Sequence, residues 1–137
     1  MTAGFVAFGV GVPLFGLALR EVLPGRAWIA AVVTGLATLG VALLPLDVSD
    51  TVDVLHGVAA GTGYVALAML PILASRPLHS RASLVLGLAV AVCLVFTLVD
   101  PVNGLAQRTG LTLGDLWILW ASRAILQYHL APRAATA

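Results

Sequence analysis

The sequence predicts an all-α protein, a polytopic bundle of transmembrane helices, and two observations on composition carry that prediction. Of its 137 residues, 61% are hydrophobic and only 9% are charged, and the mean hydropathy is +1.07. Soluble domains usually carry about 25% charged residues. A chain of this length holds one compact bundle, so we expect a single domain over residues 1–137.

Five apolar runs approach the ~20 residues that a helix needs to cross a bilayer core. Each run should be helical, because backbone polar groups cannot remain unpaired in lipid. The runs show no alternation of apolar and polar residues, which excludes a closed barrel. The five predicted helices span about residues 3–22, 27–46, 53–74, 82–99 and 112–130.

The placement of charge is the third observation, and it predicts the topology. Six of the seven arginines fall at one end of the predicted bundle, and five of the six acids fall at the other. The positive-inside rule then places the N-terminus outside and the C-terminus in the cytoplasm. The net charge of +1 gives no reason to expect a nucleic-acid partner. The chain has no lysine, and together with its richness in Ala, Val, Leu and Gly this suggests a GC-rich bacterial genome. We therefore expect a multi-pass protein of a bacterial plasma membrane.

Polar chemistry is concentrated in the stretch 45–61, PLDVSDTVDVLHGVAAG, between two apolar runs. Asp50 and Asp53 have the spacing of a capping pair at the start of the third helix. A carboxylate there also interacts favourably with the positive end of the helix. Thr112 and Asp115 have the same spacing, so the second pair is also expected to be structural.

His56 lies inside the apolar boundary of the third helix, where an unpaired polar group costs roughly 1–3 kcal/mol. Its nearest expected partner is Asp47, at the end of the second helix, and Arg108 is the one cation at that end. We therefore expect Asp47, His56 and Arg108 to form one hydrogen-bonded group, and these three are the catalytic candidates. The group would either staple helices together or carry acid–base chemistry.

Other polar residues are candidates for ligand or lipid contacts: Asp53, Gln107 and Arg123. Arg123 lies within the last apolar run, where it would either reach the headgroups or bind an anionic lipid. A zinc site needs at least three ligands, and only one histidine lies at the acidic end. We therefore expect no metal and no cofactor.

Gly57 and Gly61 form a GxxxG pair on the third helix. Such pairs let membrane helices approach closely. Packing within the bundle is the first expectation for this pair, and a dimer seam is the second.

Several phrases, in order along nearly the whole chain, resemble the bacterial family called domain of unknown function 998. They are TAGFVAFGVGVPLFGLALR, LLPLD, LHGVAAGTGY and GLAQR, the last followed by Trp117. The resemblance implies a six-helix inner-membrane protein, of which this chain would match helices two to six. A bundle without its first helix should expose a groove, and should oligomerise or be less stable than a six-helix relative.

The resemblance assigns no activity, although a distant likeness to eukaryotic autophagy-modulator and GPI-lipid-remodelling proteins points towards lipids. The first functional expectation is a small membrane module that binds lipids, a second copy of itself or another membrane protein. The alternative is a membrane-embedded lipid-modifying enzyme that uses the Asp/His cluster. The sequence leaves open whether the protein is an enzyme.

Overall fold

A computed structural model describes residues 2–98 and 103–130, which form five helices and, within those ranges, no strand. The helices are α1 (Thr2–Val22), α2 (Ala27–Leu43), α3 (Asp50–Ser75), α4 (Arg81–Phe96) and α5 (Asn103–Leu130). The all-helical, five-helix prediction is confirmed. The predicted end of the fourth helix, residue 99, lies outside the described residues.

Each helix packs antiparallel on the next one in the chain, and α5 also contacts α1 and α3. Glycines set the closest approaches. A Cβ on Gly16 of α1 would lie 2.9 Å from the Ala31 Cβ of α2, and one on Gly63 of α3 would lie 3.2 Å from the Ala37 Cβ. Because neighbours run antiparallel, the turns carrying arginine lie at one end and the turn carrying aspartate lies at the other. We call these ends the arginine-bearing half and the aspartate-bearing half.

Helix α2 ends three residues earlier than predicted. Its C-cap is Leu44, whose N–H donates to the Gly40 carbonyl over 3.1 Å. Leu44 precedes Pro45, and a residue before proline is disfavoured in the helical conformation. The turn continues through Asp47, which has a φ of 66°, a left-handed conformation that aspartate tolerates better than most residues.

Helix α3 is capped by a serine rather than by the predicted aspartate pair. The Ser49 hydroxyl accepts the Val52 N–H over 3.3 Å. The Asp53 carboxylate instead accepts the main-chain N–H of Asp47 over 2.9 Å, which closes the α2–α3 turn. Asp50 is the first residue of the helix, so its charge still complements the positive helix end.

Helix α5 begins at Asn103, nine residues before its predicted start at 112. We expected residues 103–111 to precede this helix, and that expectation is wrong. Gly110 is buried inside the helix, and a Cβ there would lie 2.9 Å from the Cys93 Cβ of α4. Thr112 is therefore not a cap; its hydroxyl donates to the Arg108 carbonyl over 2.8 Å. Asp115 lies in mid-helix.

The main core lies in the arginine-bearing half. Its fully buried members include Ala31, Leu70, Ala74 and Trp117. The Trp117 indole N–H donates to the Ser83 hydroxyl over 2.9 Å. Its ring also meets Phe15 edge-to-face with centroids 6.4 Å apart. This contact joins α5 to α1 and closes that half of the bundle.

Two of the described helices are long and apolar enough to cross a membrane, Ala3–Val22 and Asp50–Ser75. Ala27–Leu43 and Arg81–Phe96 are apolar but shorter. At 1.5 Å per residue, the shorter helices extend about 25 Å, slightly less than the ~30 Å core of a bilayer. Which terminus faces the cytoplasm stays a prediction.

Candidate functional site: a cavity in the aspartate-bearing half

The aspartate-bearing half contains a cavity of about 300 Å³ between α1, α2, α3 and α5. Its walls are mostly apolar, with Phe5 and Phe8 from α1 and Ala60 from α3 among the lining residues. A few polar side chains also line it: Thr34, Thr38, His56, Tyr64 and Gln107. An apolar hollow with a small number of placed polar groups is the usual form of a small-molecule site.

His56 lines this cavity, but its partner is not the predicted one. Its Nδ1 lies 2.6 Å from the carbonyl oxygen of Leu44. A carbonyl can only accept, so Nδ1 donates, and in the neutral ring Nε2 is left as an acceptor. Leu44 caps the C-terminus of α2, where carbonyl groups lack helical partners. His56 therefore fastens α3 to the end of α2 and keeps one ring nitrogen available to the cavity.

The hydroxyl groups that line the cavity also donate hydrogen bonds to main-chain carbonyls. Thr38 donates to the Thr34 carbonyl over 2.9 Å, and Thr34 donates to the Ala30 carbonyl over 2.9 Å. Tyr64 of α3 donates to the Gln107 carbonyl of α5 over 3.2 Å. Their oxygens keep only acceptor capacity, so the cavity offers a ligand mainly hydrogen-bond acceptors.

A second hollow, of about 280 Å³, adjoins the first between α1 and α5. Both hollows are lined by Phe5, Phe8, Thr38 and Leu111, and the second adds the carboxyl-bearing Asp115. Below it, α1 and α5 close on each other where Phe15 meets Trp117. The boundary between α1 and α5 thus carries a hollow in the aspartate-bearing half and a ring contact in the arginine-bearing half.

The three catalytic candidates do not form the predicted hydrogen-bonded group. His56 bonds to Leu44, and the main chain of Asp47 bonds to Asp53. Arg108 is exposed on α5 and, within residues 2–98 and 103–130, has no ion pair. The prediction was wrong because the main-chain carbonyl of Leu44, which a side-chain pattern does not reveal, accepts the hydrogen bond of His56. A catalytic role for these residues stays a prediction.

The remaining candidates divide between the two halves. Gln107 lines the cavity, Asp53 holds the α2–α3 turn, and Arg123 is exposed on α5. Ligand or lipid contacts for these three stay predictions. In the described part of the chain, no group of three or more His, Cys, Asp or Glu side chains could hold a metal ion.

The packing role predicted for Gly57 and Gly61 within the bundle is wrong. A Cβ added to either glycine would meet no atom within 4 Å. The close approaches of α3 lie elsewhere. Gly63 of α3 approaches α2, and Gly87 of α4 approaches α3. The GxxxG spacing marks a smooth face of α3, but neighbouring helices contact other faces.

The comparison with protein families agrees with this architecture and with the motifs of the sequence. The family described as "Protein of unknown function (DUF998)" matches residues 1–124. The chain belongs to this family. No curated protein and no solved structure matches it. The suspected family is therefore confirmed, and any activity of this DUF998 protein has to be inferred from its own residues.

Asp115 is the site residue of this DUF998 chain that sequence reasoning missed. Twelve residues separate it from the start of α5 and fifteen from its end, so it lies near the middle of a long helix. Because the segment before Asp115 was expected to lie outside the helix, Asp115 was interpreted as part of a helix cap. Its place in mid-helix follows from the start of α5 at Asn103, which the sequence pattern did not indicate.

Proposed function

We propose that this protein is a multi-pass membrane protein that binds a lipid or similar amphiphile in the cavity of its aspartate-bearing half. Membrane insertion of the short helices is supported by their exposed faces. On α4, Val85, Val92 and Val95 are each more than half exposed. In water such a continuous apolar face would be costly, whereas in lipid it is the expected surface.

The single observation that carries the ligand proposal is an apolar cavity with few polar groups that adjoins a hollow between α1 and α5. Acyl chains fit apolar walls such as Phe5, Phe8 and Ala60, which line the cavity. The gap between α1 and α5 lets a molecule enter from the bilayer without crossing the polar surface. A headgroup would then meet His56, Thr38 and Gln107 at the cavity wall.

The proposal is tested by a substitution that fills the cavity. Ala60→Phe places a ring in the space where a chain would lie, since Ala60 lines the cavity. Val58→Phe is the matched control, because Val58 is on the same helix, is 62% exposed and does not line the cavity. Native mass spectrometry of the full chain, purified from membranes of phosphatidylethanolamine and phosphatidylglycerol, counts retained lipids.

We expect the wild-type protein and Val58→Phe to retain a lipid that Ala60→Phe loses. Equal retention by all three proteins would contradict the proposal, because it would place the retained lipid on the outer surface. A thermal unfolding curve for each variant identifies any loss that comes from misfolding.

A second candidate, a lipid-modifying enzyme, is favoured by one observation only. His56 donates through Nδ1 to a fixed carbonyl, which leaves Nε2 at the cavity as a base. Incubation of the wild-type protein with bilayer lipids, followed by lipid mass analysis, tests it. Altered lipid masses that His56→Gln abolishes support an enzyme, and unchanged masses with retained binding support the binding module.

A further inference from the structure

We infer that the hollow between α1 and α5 selects amphiphiles whose head group is a cationic amine, with Asp115 as the partner of the ammonium group. This inference rests on the proposed amphiphile-binding function and deepens it by naming the head group. It is carried by the position of one carboxylate and by the hydrogen-bonding character of the groups around it.

The carboxylate of Asp115 lies near the middle of α5, and its position there needs an explanation. At 1.5 Å per residue it lies about 18 Å from one end of α5 and about 22 Å from the other. Acidic side chains inside membrane-crossing helices are rare, and they face a cavity or a partner. Asp115 lines the α1–α5 hollow with Thr38, and in the described ranges its carboxylate has no hydrogen bond or ion pair.

The hydrogen-bonding groups around the carboxylate determine which charge the head group of a ligand must carry. The Thr38 hydroxyl already donates to the Thr34 carbonyl, so its oxygen can only accept. The same holds for His56 in the neighbouring cavity, whose Nδ1 donates to Leu44. An ammonium group has three donors and no acceptor. A carboxylate or phosphate head would meet like charge at Asp115 and acceptor oxygens beside it.

The same groups set the shape of the ligand. Phe5, Phe8 and Leu111 line both hollows, so an ammonium at Asp115 would sit at the junction between apolar walls. An alkyl chain can run from there into the cavity or out through the gap between the helices. The fitting ligand is an amphiphilic amine, whether an amino lipid or a free long-chain amine.

The experiment compares three probes with the same chain: dodecylamine, dodecanol and dodecanoate. Each is titrated against the full-length protein in phosphatidylcholine nanodiscs, and binding is followed by calorimetry with empty nanodiscs subtracted. The variants are Asp115→Asn and Thr38→Val, with Asp50→Asn as the matched control. Asp50 is an exposed carboxylate outside both hollows.

We expect dodecylamine to bind the wild-type protein most tightly. Asp115→Asn should weaken it about tenfold or more, the effect of losing a charge-assisted hydrogen bond. Thr38→Val should weaken it by a smaller factor, and Asp50→Asn should leave it unchanged. Phosphatidylethanolamine nanodiscs should compete with dodecylamine if the natural ligand is an amino lipid, and should not compete if it is a free amine.

Equal affinity for dodecylamine and dodecanol would overturn the inference, as would equal losses in Asp115→Asn and Asp50→Asn. If dodecanol binds and Ala60→Phe blocks it, the cavity still takes amphiphiles and only the head-group inference fails. If no probe binds, the proposed function fails as well.

Discussion

The two halves of the bundle are built differently. The arginine-bearing half holds the main core, where Leu70, Ala74 and Trp117 are almost fully buried. In the aspartate-bearing half, apolar residues such as Leu43 and Val54 are largely exposed, and a cavity replaces the core. Packing is the principal force between helices in a membrane. The difference teaches that one half supplies stability, while the other half holds the cavity in which a ligand is proposed to bind.

The largest expected effect concerns which half faces which compartment. Reporter fusions after Arg26 and Arg81 should be active in the cytoplasm, and fusions after Asp50 and Asn103 should be active outside. The outcome should be all-or-none, because the arginine asymmetry sets orientation. If fusions at Arg81 and Asn103 report the same compartment, α4 does not span the membrane.

Removing the central aromatic ring of the core should cost the most stability. Trp117 is 1% exposed and Trp120, on the same helix, is 51% exposed. Trp117→Ala should lower the free energy of unfolding by about 3–5 kcal/mol, the usual cost of emptying a buried aromatic site. Unfolding in mixed micelles measures this. Trp120→Ala is the matched control, and an equal loss in both variants would contradict the burial of Trp117 in the main core.

Two glycines on neighbouring helices sharpen the comparison. A Cβ on Gly87 would lie 2.5 Å from the Ile72 Cγ1 and 3.0 Å from the Ala68 carbonyl oxygen. Gly87→Ala should therefore cost about 1–3 kcal/mol of overpacking. Gly57→Ala should cost nothing and gain up to about 1 kcal/mol, since alanine is the better helix former.

The same glycine pair also tests the dimer seam that the sequence left open. Unfolding and cross-linking are measured together for both variants. A loss of stability in Gly57→Ala, accompanied by loss of a cross-linked dimer, would show that a second copy covers this face of α3.

The smallest expected effect is at the link between α2 and α3. His56→Ala removes the donor to the Leu44 carbonyl and should cost about 0.5–1.5 kcal/mol. His56→Gln can still donate to that carbonyl and should recover part of the loss. Thermal unfolding compares the two. Identical curves for His56→Ala and wild type would mean that the bond does not hold the turn together.

Much of the fold was predictable because long apolar runs must form helices in lipid. The starts of α1 and α2 agree with their apolar boundaries to within one residue. The start of α5 could not be read from composition, since Gly110 serves close packing on α4 rather than a loop.

The site was predicted less well, because side-chain patterns do not show main-chain partners. His56 was correctly expected to need a hydrogen bond, but the Leu44 carbonyl satisfies it. Asp115 was expected to cap a helix, and its exposure to a cavity depends on how α1 and α5 diverge. That divergence is a property of packing between distant segments.

The central claim is that lipid enters the aspartate-bearing half and not the arginine-bearing half. Photo-labelling of the full chain in bilayers with a diazirine-bearing phosphatidylethanolamine, followed by peptide mapping, tests it directly. The account predicts labels on cavity residues of α2 and α3, such as Ala42 and Gly63, which Ala60→Phe removes and Val58→Phe does not. Labels confined to outward faces such as Val85 and Val92, unchanged by Ala60→Phe, would contradict it.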